Sequence, residues 1–501
     1  MKTCIIFGCL IALAVNAFSQ QPEIEILYQK KVVGKNFITE DSIMGTEYIL
    51  PERIFQTYID TIGKCATFQL RGVSKNEKWL DNKGEILVYD LVNKNIRWSK
   101  PAFYQISSFE QYDNNIIQTD QNKSFYLDYN TGGKLWKVKN QIFLANPIHN
   151  LAIGYKYSNM SGHTDLLQGI NLDDGSVIWD REIDRKYGWQ YLYYFNDSTL
   201  LVAANGLHTV NLNNGSGWDY QTDMGIQKAT IGSLVLREVK SNLIIDSVNI
   251  FCASREKLFE LRQKDGSENW SYPLPIQETS KSRIFIKDST LYMVNFGFAY
   301  MGYRQAKQGT PFIAAFDKNT GKNKYFNLIN VKKDPVQSTF TKNDTLILAY
   351  KERLEKYSLI DGKKLYEKEI DTKKYGELLL FVGYQTYIKT AGNKYEPIPN
   401  VVPSNNYLLT GNEKILVLDK DFNPVDEIDQ DSIFIHYTNS MHYKFIANED
   451  LTVVLDADNF VIAEFKSSKS SVLIDKKLYS MYKENFLEVD LSGLIFDKFP
   501  E

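Results

Sequence analysis

The chain has 501 residues, and 58 Lys and Arg against 61 Asp and Glu leave a formal charge of −3, which speaks against a partner recognised chiefly through phosphate and so disfavours nucleic acid. With 43% hydrophobic and 13% aromatic residues it can bury a large core, and 32 Tyr with 28 Phe argue against disorder and for strands. Its 29 Gly and 13 Pro show neither collagenous nor low-complexity bias.

Residues 1–19, MKTCIIFGCLIALAVNAFS, combine Lys2, an apolar run from Cys4 to Val15, and small residues Ala17 and Ser19 at the positions a signal peptidase reads. A secretory signal peptide cleaved after Ser19 is expected, giving a secreted or periplasmic protein. The run is too short to span a bilayer, and no later segment reaches the roughly 20 apolar residues of a transmembrane helix, which leaves peripheral association with the cell envelope open. Ile6-Phe7-Gly8-Cys9 looks like a lipobox, but it precedes most of the apolar run and carries Phe7 where a small residue is required, so lipidation is disfavoured. Cys65 and Cys252 remain after cleavage; the compartment allows one disulfide between them, while two buried small apolar residues is the simpler reading. In residues 20–80 the segments EILYQKKVVG (25–34) and EYILPERIFQTYIDTI (47–62) supply a first blade or a strand that closes a ring.

From residue 81 to 501 a single pattern recurs: apolar alternation, a polar anchor, a turn rich in Gly, Asn and Asp, then an aromatic about eight positions after the anchor. ILVYDLVNKNIRW (86–98), FYLDYNTGGKLW (125–136), LQGINLDDGSVIW (167–179), LHTVNLNNGSGWDY (207–220), LFELRQKDGSENW (258–270) and IAAFDKNTGKNKY (313–325) are the clear copies. Weaker ones follow at LEKYSLIDGKKLY (354–366), ILVLDKDFNPVDE (415–427), VVLDADNFVIAEF (453–465) and FLEVDLSGLIFDKF (486–499). The anchors are Asp90, Asp128, Asn171, Asn211, Arg262, Asp317, Ser358, Asp419, Asp456 and Asp490, spaced about 44 residues apart on average. Period-two alternation predicts a half-buried strand, the Asx anchor and a later positive-φ residue predict a reversal, and the aromatic opens the second strand of a hairpin. Further short strands bounded by Asn-Asp-Ser-Thr precede several turns. Four antiparallel strands per period of 40 to 45 residues is the arithmetic of a β-propeller blade. Separate β-sandwich modules would need about 100 residues each and linkers, and no linker composition is present.

The Asp or Asn, Thr-Gly or Asp-Gly turn and Trp at fixed offset, best preserved in LDYNTGGKLW and NLDDGSVIW, resemble the PQQ-like (quinoprotein alcohol dehydrogenase-like) propeller repeat. That family includes periplasmic quinone-dependent dehydrogenases and a non-enzymatic lipoprotein subunit of the outer-membrane β-barrel assembly machine. The resemblance covers about residues 80–500 and implies an all-β propeller of four-stranded antiparallel blades, eight favoured, with seven or ten left open by the ten turns. Copies after Asp317 depart from it by losing the Trp and in places the Gly.

A quinoprotein dehydrogenase is the enzyme this resemblance invites. The family would bring a calcium site of Glu, Asn and Asp, a base carboxylate and commonly a disulfide between adjacent cysteines. No adjacent cysteines follow Cys9, and the carboxylates fall mostly in turns, so neither PQQ nor calcium is expected and no catalytic or metal residue is assigned. Asp419-Lys420-Asp421-Phe422-Asn423 starts like a calcium loop, but Pro424 takes its glycine position and Gln430 its bidentate Glu position. His436 and His442 could face each other across a hairpin, which is two ligands without a third. No G-x-S-x-G, H-E-x-x-H, Walker or dinucleotide motif occurs.

Binding surface remains. In a four-stranded blade the loops joining the second strand to the third, and one blade to the next, share the rim opposite the repeat turns, and surplus length there marks a working face. Residues 295–311 (NFGFAYMGYRQAKQGTP) present Phe298, Tyr300 and Tyr303 beside Arg304 and Lys307; residues 383–406 carry Tyr384, Tyr387 and Tyr395; residues 154–165 carry Tyr155, Tyr157 and His163. Aromatics beside cations suit a protein, peptide or glycan, although the same rings could cap the core. The expectation is a non-catalytic binding or assembly scaffold, the alternative a PQQ-dependent oxidoreductase.

Overall fold

The computed structural model describes residues 25–76, 78–158, 162–188, 191–228, 234–329, 334–382, 386–397, 407–410, 414–419, 421–440, 442–468 and 471–492. The expected signal peptide therefore lies outside the described residues. No helix among those described is long and apolar enough to cross a membrane. Among the described residues eight sheets have four antiparallel strands each, in sequence order from edge to edge except where a hairpin is inserted. The chain divides into two compact units, residues 1–107, 129–133 and 465–501 forming one, residues 108–128 and 134–464 the other.

The stacking logic is clearest in the larger unit. In the sheet Tyr191–Asn196, Thr199–Ala204, Gly206–Asn211 and Asp219–Tyr220, the two middle strands are buried along almost their whole length. Both faces of those strands are covered: Leu200, Val202 and Ala204 pack with Leu151, Ile153 and Leu167 of the preceding sheet, while Leu201 and Ala203 pack with Ile250, Cys252 and Phe259 of the next. Period two sends alternate side chains to opposite faces, so one strand serves two interfaces. The same division recurs at Ile313 and Ala315 against Phe312, Ala314 and Phe316. These face-to-face sheets are the blades of an all-β propeller fold.

The repeat turns lock successive sheets. Asn211 ends its strand, its Oδ1 accepts from Asn213 N–H at 2.9 Å, and its carbonyl accepts from Gly215 N–H at 2.8 Å. Gly215 has φ +72°, and a Cβ there would lie 2.7 Å from the Trp179 ring of the previous sheet. Only glycine meets both conditions. The same indole donates its Nε1–H to Leu212 O at 2.7 Å. Trp98 to Tyr129 O, Trp136 to Leu172 O, Trp218 to Gln263 O and Trp270 to Lys318 O repeat the bond at 2.7 to 3.0 Å. The Trp of each of these copies thus docks on the turn of the next.

In the smaller unit the sheet Arg53–Asp60, Cys65–Val73, Leu80–Asp90 and Asn95–Phe103 follows the same plan. Beside it, Ser42–Ile49 pairs with Leu27–Asn36 on one edge and with Asn485–Asp490 on the other, Gly45 opposite Val489 and Ile49 opposite Asn485. Lys477–Tyr482 continues that sheet. Tyr48, Phe68, Tyr89 and Phe486 form its aromatic core. Cys65 and Cys252 are both free and buried.

Candidate binding site

In most sheets the second and third strands are joined by a tight turn, as Ala204 and Gly206 are. Between Thr290–Asn295 and Phe312–Asp317 the chain instead inserts a hairpin, Phe298–Met301 and Arg304–Lys307. Gly297 starts it at φ +77°, packed on Pro311, where a Cβ would come within 2.7 Å of the proline ring. Asn295, fully buried, staples the base: its Nδ2 donates to Glu278 O and Thr310 O at 2.9 Å each, and its Oδ1 accepts from Ser280 N–H at 2.8 Å. A second hairpin, Ile226–Lys228 with Leu234–Leu236, lies in the connection between the sheets ending at Tyr220 and starting at Ile244. The two insertions meet. Arg237 N–H donates to Tyr300 O at 2.8 Å and Tyr300 N–H to Arg237 O at 3.1 Å. Ile226, Leu236, Val239 and Ala299 close an apolar seam between them. Lys281 Nζ lies 2.8 Å from Glu238 Oε2 and 4.8 Å from the Tyr300 ring centroid.

The residues chosen from sequence separate into two groups. Tyr303, at the hairpin tip, is fully exposed, and Arg304 and Lys307 are exposed beside it. Phe298 is 3% exposed and packs among Phe296, Val336 and Tyr350, with the half-buried Tyr300 edge-on at 5.6 Å. Tyr155 is buried beneath the Arg185 guanidinium, 3.6 Å from its ring centroid. Tyr387 and Tyr395 are buried, Tyr395 edge-on to Phe434 at 4.9 Å. These four rings line the interior: Tyr155, Tyr387 and Tyr395 lie on strands that pair onto the sheets and turn alternate side chains inward, whereas Phe298 reaches the core from the base of the separate hairpin. Tyr157 is half-buried, opposite His163 in the strand register. Tyr384 lies outside the described residues. His436 lies opposite Ile446, while His442 occupies the turn at φ +66°, so the two histidines do not face each other in register. Asp419 Oδ1 accepts from Asp421 and Asn423 N–H at 2.8 Å each, an Asx turn.

Against the Arg304–Lys307 strand lies a groove of about 380 Å³, whose far wall is Asp334, Pro335, Gln337 and the turn carrying Tyr350 and Arg353. Sequence reading missed Arg353; its signal is an Arg, Glu and Tyr at every second position of RLEKYS. The guanidinium is 7% exposed, with Nε 3.0 Å from Glu355 Oε1, Nη1 3.1 Å from Asp334 Oδ2, and its centre 3.9 Å above the Tyr350 ring. Tyr357 OH donates to Glu355 Oε2 at 2.7 Å. Burial, and then the Glu355 charge, push both Tyr350 and Tyr357 far above the ordinary phenol range. Lys351 pairs with Glu377 at 2.9 Å. Asp334, Arg353, Glu355 and Lys351 of this wall are thus neutralised in place. Nearby Lys240 is 3% exposed, its Nζ donates to Ser241 O at 3.3 Å, and burial pulls its pKa down to about 8.

Among the described residues no three His, Cys, Asp or Glu side chains are grouped as a metal ion requires. A family model described as outer membrane protein assembly factor BamB matches residues 79–272. No curated protein matches. Similar solved structures include BamB from Moraxella catarrhalis, 11% identical over 73% of this chain and 95% of that one with a TM-score of 0.34. Apo AztD from Citrobacter koseri is 9% identical over 69% and 96%, TM-score 0.31. Quinohemoprotein alcohol dehydrogenase from Comamonas testosteroni is 9% identical over 68% and 69%, TM-score 0.26.

Proposed function

We propose that the chain is a non-catalytic binding or assembly scaffold of the cell envelope, whose partner docks on the rim that bears the inserted hairpins. One observation carries this reading: Tyr303, Arg304 and Lys307 are exposed on a hairpin whose base is stapled by Asn295 and whose flank is bridged to a second insertion at Arg237. A rigid support under exposed aromatic and cationic side chains lowers the ordering cost of association. The match to an assembly-factor family over residues 79–272 supports the same class, and the leader read in residues 1–19 supports export. Protein is the partner class closest to that family; peptide and glycan are its neighbours in chemistry.

The test is a Tyr303→Ala, Arg304→Ala double variant. Both side chains point to solvent, so thermal melting should match the parent, while capture of a partner from envelope extract should weaken by about 1 kcal/mol or more. Unchanged capture would place the working face elsewhere. Titration with PQQ and calcium, followed by visible absorbance, tests the enzyme alternative; saturable one-to-one binding would overturn the scaffold reading.

A further inference from the structure

This inference rests on the scaffold reading and gives it a mode of binding. In the inserted hairpin Phe298 lies opposite Lys307, Ala299 opposite Ala306, Tyr300 opposite Gln305 and Met301 opposite Arg304. Gln308 N–H donates to Gly297 O at 3.0 Å, which fixes the alternation: the backbone groups of residues 299, 301, 304 and 306 point into the hairpin, those of 298, 300, 305 and 307 point out. On one edge the outward groups are used. Tyr300 exchanges two bonds with Arg237, and Phe298 O accepts from Lys281 N–H at 2.8 Å. On the other edge the backbone N–H and C=O of Gln305 and Lys307 have no hydrogen-bond partner among the described residues. That edge opens on the 380 Å³ groove, with Asp334, Pro335 and Gln337 opposite.

We propose that this groove takes an extended acidic segment of a partner protein, which adds as a strand to the Arg304–Lys307 edge with two carboxylates three residues apart opposite Arg304 and Lys307. Four residues of strand span about 13 Å and present two outward backbone pairs, which supply affinity without sequence preference. Charge sets the preference. Arg304 and Lys307 carry no ion pair among the described residues, whereas Asp334 is held by Arg353 and Lys351 by Glu377; Glu352 is the opposing carboxylate left on the wall. A second copy of this hairpin is a poor occupant, because pairing through the outward groups brings two Arg304–Lys307 edges together and neither carries a carboxylate to offset the other's cations.

The experiment uses the full chain and the peptide acetyl-Thr-Glu-Val-Thr-Glu-Val-amide, with a control in which both Glu are Lys. Residue-resolved hydrogen exchange should slow at Gln305 and Lys307 and stay unchanged at Ala306, whose N–H already points into the hairpin. The Lys peptide should bind at least tenfold more weakly. Gln305→Pro removes only an outward donor, so it should keep the parent's melting temperature and lose at least tenfold in peptide affinity. Arg304→Glu with Lys307→Glu, which leaves the backbone untouched, should reverse the preference towards the Lys peptide. Protection elsewhere, full affinity in Gln305→Pro, or an unreversed preference would each overturn strand addition. If those variants still capture an envelope partner as the parent does, the scaffold reading stands and the edge falls alone; if the parent binds neither peptide nor envelope protein, both fall.

Discussion

Residues 134–328 and residues 407–465 solve one problem in two ways. In the first stretch an indole reaches across to the next sheet, donates to a turn carbonyl, and requires glycine above its face, as Trp179 does at Leu212 and Gly215. In the second the turn is one residue shorter. Asp419 N–H donates to Asn423 O, Asp456 N–H to Phe460 O, and the positive-φ position moves up to Phe422 and Asn459. The fully buried Phe422 fills from the turn side the space that an incoming Trp would fill, with the Tyr366 ring 6.1 Å away and Tyr366 OH donating to Asp421 O at 3.2 Å. Tyr325, whose phenol donates to Leu359 O at 3.1 Å, is the intermediate case. Glycine goes with the ring that covers it, whether Trp or Tyr: Gly362, at φ +69°, is kept against Tyr325, and the short turns at Phe422 and Asn459 do without it.

Trp179 carries the largest expected effect. Trp179→Ala removes a ring 7% exposed and its bond to Leu212, so urea unfolding should show a loss of about 3–5 kcal/mol. Tyr366→Ala, on a ring 38% exposed, should cost about 1 kcal/mol. Equal losses would mean the two kinds of turn are loaded alike. The next largest effect asks how dry the docked stretch is. Lys240 titrates at about 8 in the folded chain against about 10.4 unfolded, so below pH 8 the interior holds a cation at a cost of up to about 3 kcal/mol. Above pH 8 the unfolded chain binds the proton that the folded chain has released, and this cost fades. Lys240→Met should therefore be the more stable protein at pH 7, with its advantage shrinking as pH climbs towards 9.5; a constant gap across that window would sink the assignment.

The smallest effects sharpen the contrast at the turns themselves. Gly215→Ala combines a φ of +72° with a Cβ 2.7 Å from the Trp179 ring, and should cost about 1–3 kcal/mol in the same unfolding assay. Asn459→Gly, at φ +67° in a short turn, should be within about 0.5 kcal/mol of the parent. If both substitutions were neutral, the ring would not be what selects glycine.

Much of this was legible because local chemistry and tertiary packing agree at the repeat turns. An Asx anchor, a glycine and an aromatic each act within a few residues or on the adjacent copy, so Asn211, Gly215 and Trp179 announce themselves. The rim was harder to read. Surplus length marked the segments correctly as insertions at residues 295–311, yet Phe298 and Tyr387 are interior because those insertions carry strands of their own: Thr386–Thr390 pairs with Phe434–Ser440, which turns Tyr387 inward. Arg353 was invisible for the opposite reason. A charge at a strand start reads as solvated, and only Glu355, two residues on, and Asp334, nineteen residues back, make burial affordable.

The pairing of Ser42–Ile49 with Asn485–Asp490 has a consequence for biogenesis. At translation rates of ~5–20 residues per second, the partner of Ile49 leaves the ribosome roughly 20 to 90 seconds after it does. For that whole interval one edge of the early strand is an open template that any passing strand could occupy. The sheet that joins them forms only once residues 485–490 have been made, so a nascent-chain holdase, or swift transfer while unfolded, would protect this protein more than one whose first strands pair with their immediate successors.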